Sequence, residues 1–288
     1  MIIVTGATGA LNGATVDHLL DYVPASGIAV VARDASKAAR FAERGVEVRV
    51  GDYADPASLP AAFDGADQLL LVSSSDPRAD AVALHRTAVE AAVAAGVGRV
   101  LYTSHQGAAA DSPFGPGRDH AATERLLAES GLAWTSLRNG FYAHSLGLFL
   151  GPWRETGVIE VPSDGRVSWT AREDESEAAA RLLLSGSPQD GPIMLTATEA
   201  PTFEEIAGIA AEVGGRPVEL RVLGDDEWVA ARVAAGQSEF LVRFTLGMHR
   251  AAERGFFAGT GPELGRLLGR EPRSVRDLLE AGQAAVAG

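Results

Sequence analysis

Cysteine is absent from this chain of 288 residues. That removes disulfides, thiolate nucleophiles and cysteine-ligated zinc or iron–sulfur centres, and it fits a reducing cytosol. Positive charge is scarce: 25 Lys and Arg stand against 38 Asp and Glu, for a net charge of -13 and a pI near 4.9. Such a surface repels a phosphate backbone, so nucleic acid is not an expected partner. Lysine is scarcer still, with Lys37 as the single example. No apolar run reaches the ~18 residues of a spanning helix, so no membrane segment is expected. The opening Met1-Ile2-Ile3-Val4 lacks a basic region ahead of an apolar stretch, so no secretory signal is expected either. What is present, 46% hydrophobic and 22% charged residues, excludes a disordered chain. An acidic, globular, cytoplasmic protein is the expectation, with one large domain or two modest ones.

Short apolar runs recur through the first half: Ile2 to Thr5, Ile28 to Ala32, Val46 to Val50, Gln68 to Val72, Arg99 to Thr103 and Ala133 to Arg138. Each has the length and the β-branched or leucine content of a strand buried on both faces. Helical patterns lie between them, at Ala10 to Tyr22, Ser36 to Glu43, Pro56 to Phe63, Ala79 to Ala95 and Arg118 to Ser130, and several are followed by a glycine suited to a C-cap. This alternation predicts an α/β fold, a doubly wound parallel sheet of the Rossmann type with helices on both faces. Residues 1–150 are read as the dinucleotide-binding domain. A helix from Glu173 to Leu184 and a strand from Ile193 to Thr196 return to the same sheet from within 151–200. Residues 201–288 are read as a small, mostly helical substrate-side region, with one strand-like run at Val218 to Val222.

The strongest local signal is Thr5-Gly6-Ala7-Thr8-Gly9-Ala10-Leu11-Asn12-Gly13, a glycine-bearing turn between the first strand and the first helix. Glycine suits a tight turn and lets backbone N–H groups approach a pyrophosphate, and the helix start adds a positive dipole end. Gly6, Thr8, Gly9, Ala10, Leu11 and Asn12 are therefore the expected pyrophosphate contacts. One irregularity stands: Asn12 occupies the usual place of a third glycine, and Gly13 follows it. At the end of the second strand Arg33 offers a fork for a 2′-phosphate, with Lys37 one turn further on. NADP(H) is thus the preferred cofactor, and Asp34 leaves NAD(H) open. Asp52, after the third strand, is placed to accept from an adenine amino group or else to cap a helix. Ser73, Ser74 and Ser75 follow the fourth strand, and Thr103 and Ser104 the fifth, at the sheet edge where ribose and nicotinamide lie.

The Tyr-x-x-x-Lys pair of ordinary short-chain reductases is missing, because the tyrosines are at 22, 53, 102 and 142 and the only lysine is Lys37. The six histidines form no His-Glu-x-x-His or other close pair, so no metal is expected. No Gly-x-Ser-x-Gly elbow is present, which weighs against an esterase.

Thr5-Gly6-Ala7-Thr8-Gly9, Arg33 within Ala-Arg-Asp-Ala-Ser-Lys, Leu69 to Ser75, Asp119-His120-Ala-Ala-Thr123-Glu124 and Leu137-Arg138-Asn139-Gly140-Phe141-Tyr142 together resemble the NmrA-like atypical short-chain dehydrogenases. Within that group the bacterial type-2 NAD(P)H:quinone oxidoreductases are the nearest resemblance, over nearly the whole chain. The resemblance implies a Rossmann-type domain with a small C-terminal domain and NADPH in the cleft between them. It puts His120 where related reductases keep the lysine and Pro116 near the lost tyrosine. Departures at Tyr142-Ala143-His144-Ser145 and Arg172 to Ser176 bear on the substrate more than on the cofactor.

The implied chemistry is hydride transfer to a small aromatic or quinone-like acceptor, whose reduced oxygen is a stabilised phenolate that solvent can protonate. Asn139, Gly140, Phe141 and Tyr142 are expected to line the acceptor cleft, the first three also as cofactor contacts, with Tyr142 donating to the acceptor's oxygen. Core packing is the competing reading for Phe141 and Tyr142. At an ordinary pKa near 6.5, His120 would be able to deliver a proton at neutral pH. Two alternatives stay open: a catalytically silent NADP(H)-sensing regulator, and a tailoring reductase of an aromatic metabolite. A homodimer stays open as well.

Overall fold

Ile, Ile, Val and Thr make up β1 (Ile2–Thr5), where β-branched side chains suit the pleated backbone and three of the four residues are buried. The computed structural model describes all residues except Ser75, Pro77, Arg78, Ser187, Pro188 and Gly288, and the side chains of 283–287. After β1 come α1 (Ala10–Leu20), β2 (Ile28–Ala32), α2 (Ala39–Ala42), β3 (Glu47–Val50), α3 (Leu59–Phe63), β4 (Gln68–Leu71), α4 (Ala81–Ala94), β5 (Arg99–His105), α5 (Gly115–Glu129) and β6 (Ala133–Asn139). The remainder is β7 (Phe141–Tyr142), α6 (Leu146–Leu150), α7 (Trp153–Thr156), β8 (Val158–Val161), β9 (Trp169–Thr170), α8 (Arg172–Leu184), β10 (Gly191–Leu195), α9 (Phe203–Gly214), β11 (Glu219–Val222), α10 (Asp225–Ala234), α11 (Glu239–Glu253), α12 (Glu263–Leu268) and α13 (Val275–Ala287).

Seven strands form one sheet in the order β10-β6-β5-β4-β1-β2-β3. The pairs β1–β2, β1–β4, β2–β3 and β4–β5 are parallel. The chain winds outward from β1 to β3 and then crosses back to β4 on the other side of β1. The switch point of the sheet therefore lies between β1 and β4, where the first loops on either side part and leave a crevice at the carboxyl ends. The expected helix at Ser36 to Glu43 begins instead as a tight turn over Ala35–Ala38, because Asp34 caps that turn through the Ser36 N–H.

Contact density divides the chain into two compact units. The first comprises Met1–His105, Asp119–Arg138 and Glu173–Ile193, and the second Gln106–Arg118, Asn139–Arg172 and Met194–Gly288. The core of the first includes Ile3, Val31, Leu59, Phe63, Leu69, Val100, Tyr102 and Leu127. The core of the second is aromatic, built on Phe114, Phe141, Phe149, Trp169, Phe203 and Phe257. The second unit also holds two small parallel pairs, β8–β11 and β7–β9. The run near Val222 is legible in the sequence as a strand; its partner β8 is not. Among the described residues, no helix is long and apolar enough to cross a membrane.

Candidate functional site

The chain leaves β1 at Thr5 and must reverse to begin α1. Gly6 does this with φ +65, and a Cβ on it would lie 2.6 Å from Val72 Cγ1, so both conformation and space demand glycine. Gly9 is the N-cap of α1, at φ -88, and its N–H donates to Gly6 O at 2.9 Å. The helix has no acid in its first turn and no side-chain cap, whereas α4, α9 and α11 are capped by Asp80, Thr202 and Ser238. Its first N–H groups and positive dipole end are thus left for an anion.

The irregular third glycine has a physical answer. A Cβ on Gly13 would meet Ala7 O at 2.8 Å, so Gly13 takes the close-packing role one residue late. Asn12 is 1% exposed and its Nδ2 donates to Thr5 O at 2.8 Å. Asn12, expected among the pyrophosphate contacts, has its side chain turned inward, where it staples α1 to β1.

A groove of about 580 Å³ runs along the carboxyl ends of β1 to β4, and Gly6, Thr8, Gly9, Arg33, Asp52, Ser73 and Ser74 line it. The structure thus brings seven of the expected residues together. Ala10 and Leu11 sit at the helix start behind Gly9, and Lys37 is exposed and outside the lining. Ser75 lies outside the described residues. Arg33 is exposed at the rim and makes no ion pair among the described residues. Beside it, Asp34 Oδ1 accepts from Ser36 Oγ at 2.6 Å and Ser36 N at 3.0 Å, bonds that hold its pKa below the ordinary carboxylate value. That oxygen is engaged in capping a turn. Asp52 Oδ1 accepts from Ala54 N at 3.0 Å, so the residue shapes its own turn as well as the groove wall.

Sequence reasoning misses Tyr53, which lines the same groove. Its hydroxyl lies 2.7 Å from Thr5 Oγ1 and donates to Val72 O at 3.2 Å, and burial pushes its pKa far above the ordinary phenol value. The signal was only its place in Gly51-Asp52-Tyr53. Thr103 serves the groove indirectly: Ser73 N donates to its Oγ1 at 2.8 Å. Ser104 is corrected from a ligand contact to a buried structural group. Its hydroxyl and that of Ser136 donate to Glu124 Oε1, which Arg138 also engages at 2.9 Å.

The first unit also gathers His85, Tyr102, His105 and His120. Tyr102 Oη is 2.9 Å from His120 Nδ1, and the rings of His105 and His120 stack with centroids 6.1 Å apart. Burial raises the pKa of Tyr102 well above its ordinary value. Burial first, then His105, His85 and Arg138, lower that of His120 well below 6.5. Burial alone brings His105 to about 4. The expectation that His120 holds a proton to give at neutral pH is corrected: the surroundings keep it an uncharged imidazole.

The remaining expected residues belong to the second unit. Asn139 is 2% exposed, and its carbonyl accepts from Gln106 N at 2.8 Å. Gly140 is glycine because Thr170 crowds it, leaving 1.9 Å between Oγ1 and any Cβ. Phe141 is corrected to the packing alternative: its ring makes edge contacts with Phe149, Trp169 and Phe257 inside the aromatic core. Tyr142 stays half-buried beside that core, next to His144, with the Arg172 guanidinium 5.8 Å from its ring centre.

The groove fits a dinucleotide on its own features: a glycine cradle without Cβ atoms, an uncapped helix start and, at the rim, an arginine with no ion pair among the described residues. Comparison with known proteins agrees. A family described as NAD(P)H-binding matches residues 6–147. An NmrA-like family domain-containing oxidoreductase of Aspergillus flavus is 34% identical over 96% of this chain and 92% of its own. Quinone oxidoreductase 2 of Escherichia coli is 34% identical over 96% of both chains. The solved structure of the NADPH-dependent quinone oxidoreductase of Escherichia coli complexed with NADPH superposes with a TM-score of 0.90 at 32% identity, covering 98% of this chain and 100% of that one. The triphenylmethane reductase of Citrobacter sp. complexed with NADP(H) gives a TM-score of 0.88 at 32% identity, covering 98% and 99%.

Proposed function

The chain belongs to the NAD(P)H-binding, NmrA-like family of oxidoreductases, and on that premise we propose that it uses NADPH to reduce a quinone-like, conjugated aromatic acceptor. The observation that carries the acceptor class is the neutral Tyr102–His120 pair. Reducing a simple ketone creates a strongly basic alkoxide that needs a positioned acid. Neither group is a strong acid at neutral pH, the Tyr-x-x-x-Lys pair is missing, and Tyr142, the one phenol assigned to the acceptor, has no lysine beside it. A quinone needs no such acid, because its reduced oxygen is a stabilised phenolate. The named relatives, a quinone oxidoreductase and a triphenylmethane reductase, support an acceptor of this kind.

In this reading Gly6, Thr8, Gly9 and the backbone of Ala10 and Leu11 hold the pyrophosphate. Arg33 takes the 2′-phosphate, Asp52 the adenine edge, and Ser73 and Ser74 the ribose. Bound there, the cofactor supplies a hydride from its nicotinamide ring. The protein's contribution is to exclude water and hold the acceptor within ~3–3.5 Å of that hydride. Tyr142 donates a hydrogen bond to the acceptor's oxygen, and the nearby Arg172 cation favours negative charge developing there. A cytoplasmic setting completes the proposal and rests on the lack of cysteine. The test is steady-state turnover of NADPH with a simple benzoquinone and, in parallel, with an aliphatic ketone. Turnover of the quinone alone is expected; comparable turnover of the ketone would overturn the acceptor class.

A further inference from the structure

Past the end of β4, Val72, Ser73 and Ser74 run along the groove wall with no strand partner for their N–H groups. Each of these three donors is taken by a side chain from a different element. Val72 N donates to Thr5 Oγ1 of β1 at 2.8 Å, and Ser73 N to Thr103 Oγ1 of β5 at 2.8 Å. Ser74 N donates to His85 Nε2 of α4 at 2.7 Å. We propose that His85 is a positioning residue for cofactor binding, a latch whose bare Nε2 holds the Ser73–Ser74 segment in place as one wall of the groove. The proposal rests on the reading of that groove as the cofactor seat.

The hydrogen bonds settle the state of the ring. Nε2 accepts from a backbone N–H, so it carries no hydrogen. Nδ1 must then be the protonated nitrogen, and it donates to Thr123 Oγ1 at 2.8 Å. Thr123 is able to accept because its own hydrogen goes to Asp119 O, also at 2.8 Å. Every donor in this chain has an acceptor, and only one tautomer satisfies it. The surroundings keep the ring in that form. It is 1% exposed, and burial brings its pKa to about 4 against the opposing pull of Asp80, so the ring stays uncharged at neutral pH. Tyr102 Oη lies 3.5 Å from Nδ1, on the side away from Ser74. A histidine present only to fill space would not have both nitrogens committed, one of them to the segment that carries two groove-lining serines. Holding that segment before the cofactor arrives removes part of the ordering cost of binding.

The test compares His85→Gln with His85→Leu. Glutamine restores an acceptor for Ser74 and a donor for Thr123; leucine fills similar space and leaves the half-buried Ser74 N–H without its acceptor. His85→Leu should weaken NADPH binding by roughly tenfold, the effect of one orphaned donor. The loss should fall on KM for NADPH, with kcat with benzoquinone nearly unchanged. His85→Gln should bind NADPH within about threefold of the parent, less than half a lost hydrogen bond. Unchanged binding in His85→Leu overturns the latch, and so does equal weakening in both variants, which would assign the effect to ring packing. If His85→Leu does not fold, imidazole nitrogen NMR of the parent decides: a protonated Nε2 overturns the proposal. Gly9→Val serves as the reference for the groove. If it binds NADPH normally, the groove reading has failed; if it abolishes binding while His85→Leu does not weaken it, only the latch has failed.

Discussion

Replacing Arg33 with alanine isolates the part of the groove that tells NADPH from NADH. Arg33 stands exposed at the rim, lines the groove and has no ion pair among the described residues, so its removal leaves no buried carboxylate behind. A charge-assisted contact to a phosphate contributes about 1.5–3 kcal/mol. Solvent exposure puts Arg33 at the low end, about 1.5 kcal/mol, which is roughly tenfold in the dissociation constant. NADH lacks the 2′-phosphate and should bind Arg33→Ala as it binds the parent. Because the contact is exposed, the difference between the two cofactors should also shrink as salt is raised. Calorimetric titration of both cofactors into both proteins at low and high salt reads all of this. Equal weakening for NADPH and NADH would instead assign Arg33 to the adenosine or to the fold.

Gly9→Val should fold, because φ at Gly9 is -88 and the nearest atom to an added Cβ is Gly6 O at 3.3 Å, yet the branched side chain should abolish the rise in Tm that NADPH produces. A normal rise would contradict the assignment of this turn. The neutral state of His120 predicts that His120→Ala keeps single-turnover hydride transfer to benzoquinone within roughly tenfold, about 1.4 kcal/mol of barrier; a loss of ~100-fold or more would mark a true general acid. Stability should fall on the acid side. Burial holds His85 at about 4 and His249 at about 3, below the ~6.5 of an unfolded histidine. Below ~6.5 the unfolded chain therefore binds more protons than the folded one, so stability is full above that pH and declines toward the folded values by about 1.4 kcal/mol per unit for each ring. At pH 5 this is about 2 kcal/mol each, measurable as urea midpoints at pH 7 and pH 5. His249→Phe should remove one proton's share of that slope, and an unchanged slope would contradict it.

The sheet was legible because parallel strands buried on both faces read as unbroken apolar runs; β2 is five buried residues in a row. The short β7 and β9, of two residues each, carry no periodicity and exist only through each other. At the glycine turn the residue types announced the backbone path, but not that Asn12 points inward or that Gly13 supplies the close approach. Arg33 was readable from its distance along the chain. Tyr53 and His85 were not, because their roles depend on partners remote in sequence: Tyr53 meets Thr5 48 residues away, and His85 meets Ser74 across a helix start. Phe141 shows the reverse error. Its neighbours in the motif suggest a cleft, whereas its ring completes an aromatic core assembled from segments beyond residue 141 and before it.

Binding of NADPH in the glycine-cradled groove and transfer of its hydride to a quinone are the two steps of the proposed function. Rapid anaerobic mixing of the NADPH-loaded protein with a simple benzoquinone tests it most directly, following nicotinamide absorbance with protium or deuterium at the transferred position. Single-turnover oxidation far above the rate without protein, slowed by deuterium and lost in Gly9→Val, is the expected result. Tight NADPH binding with no oxidation beyond the background rate would contradict it and leave a cofactor-binding protein without this chemistry.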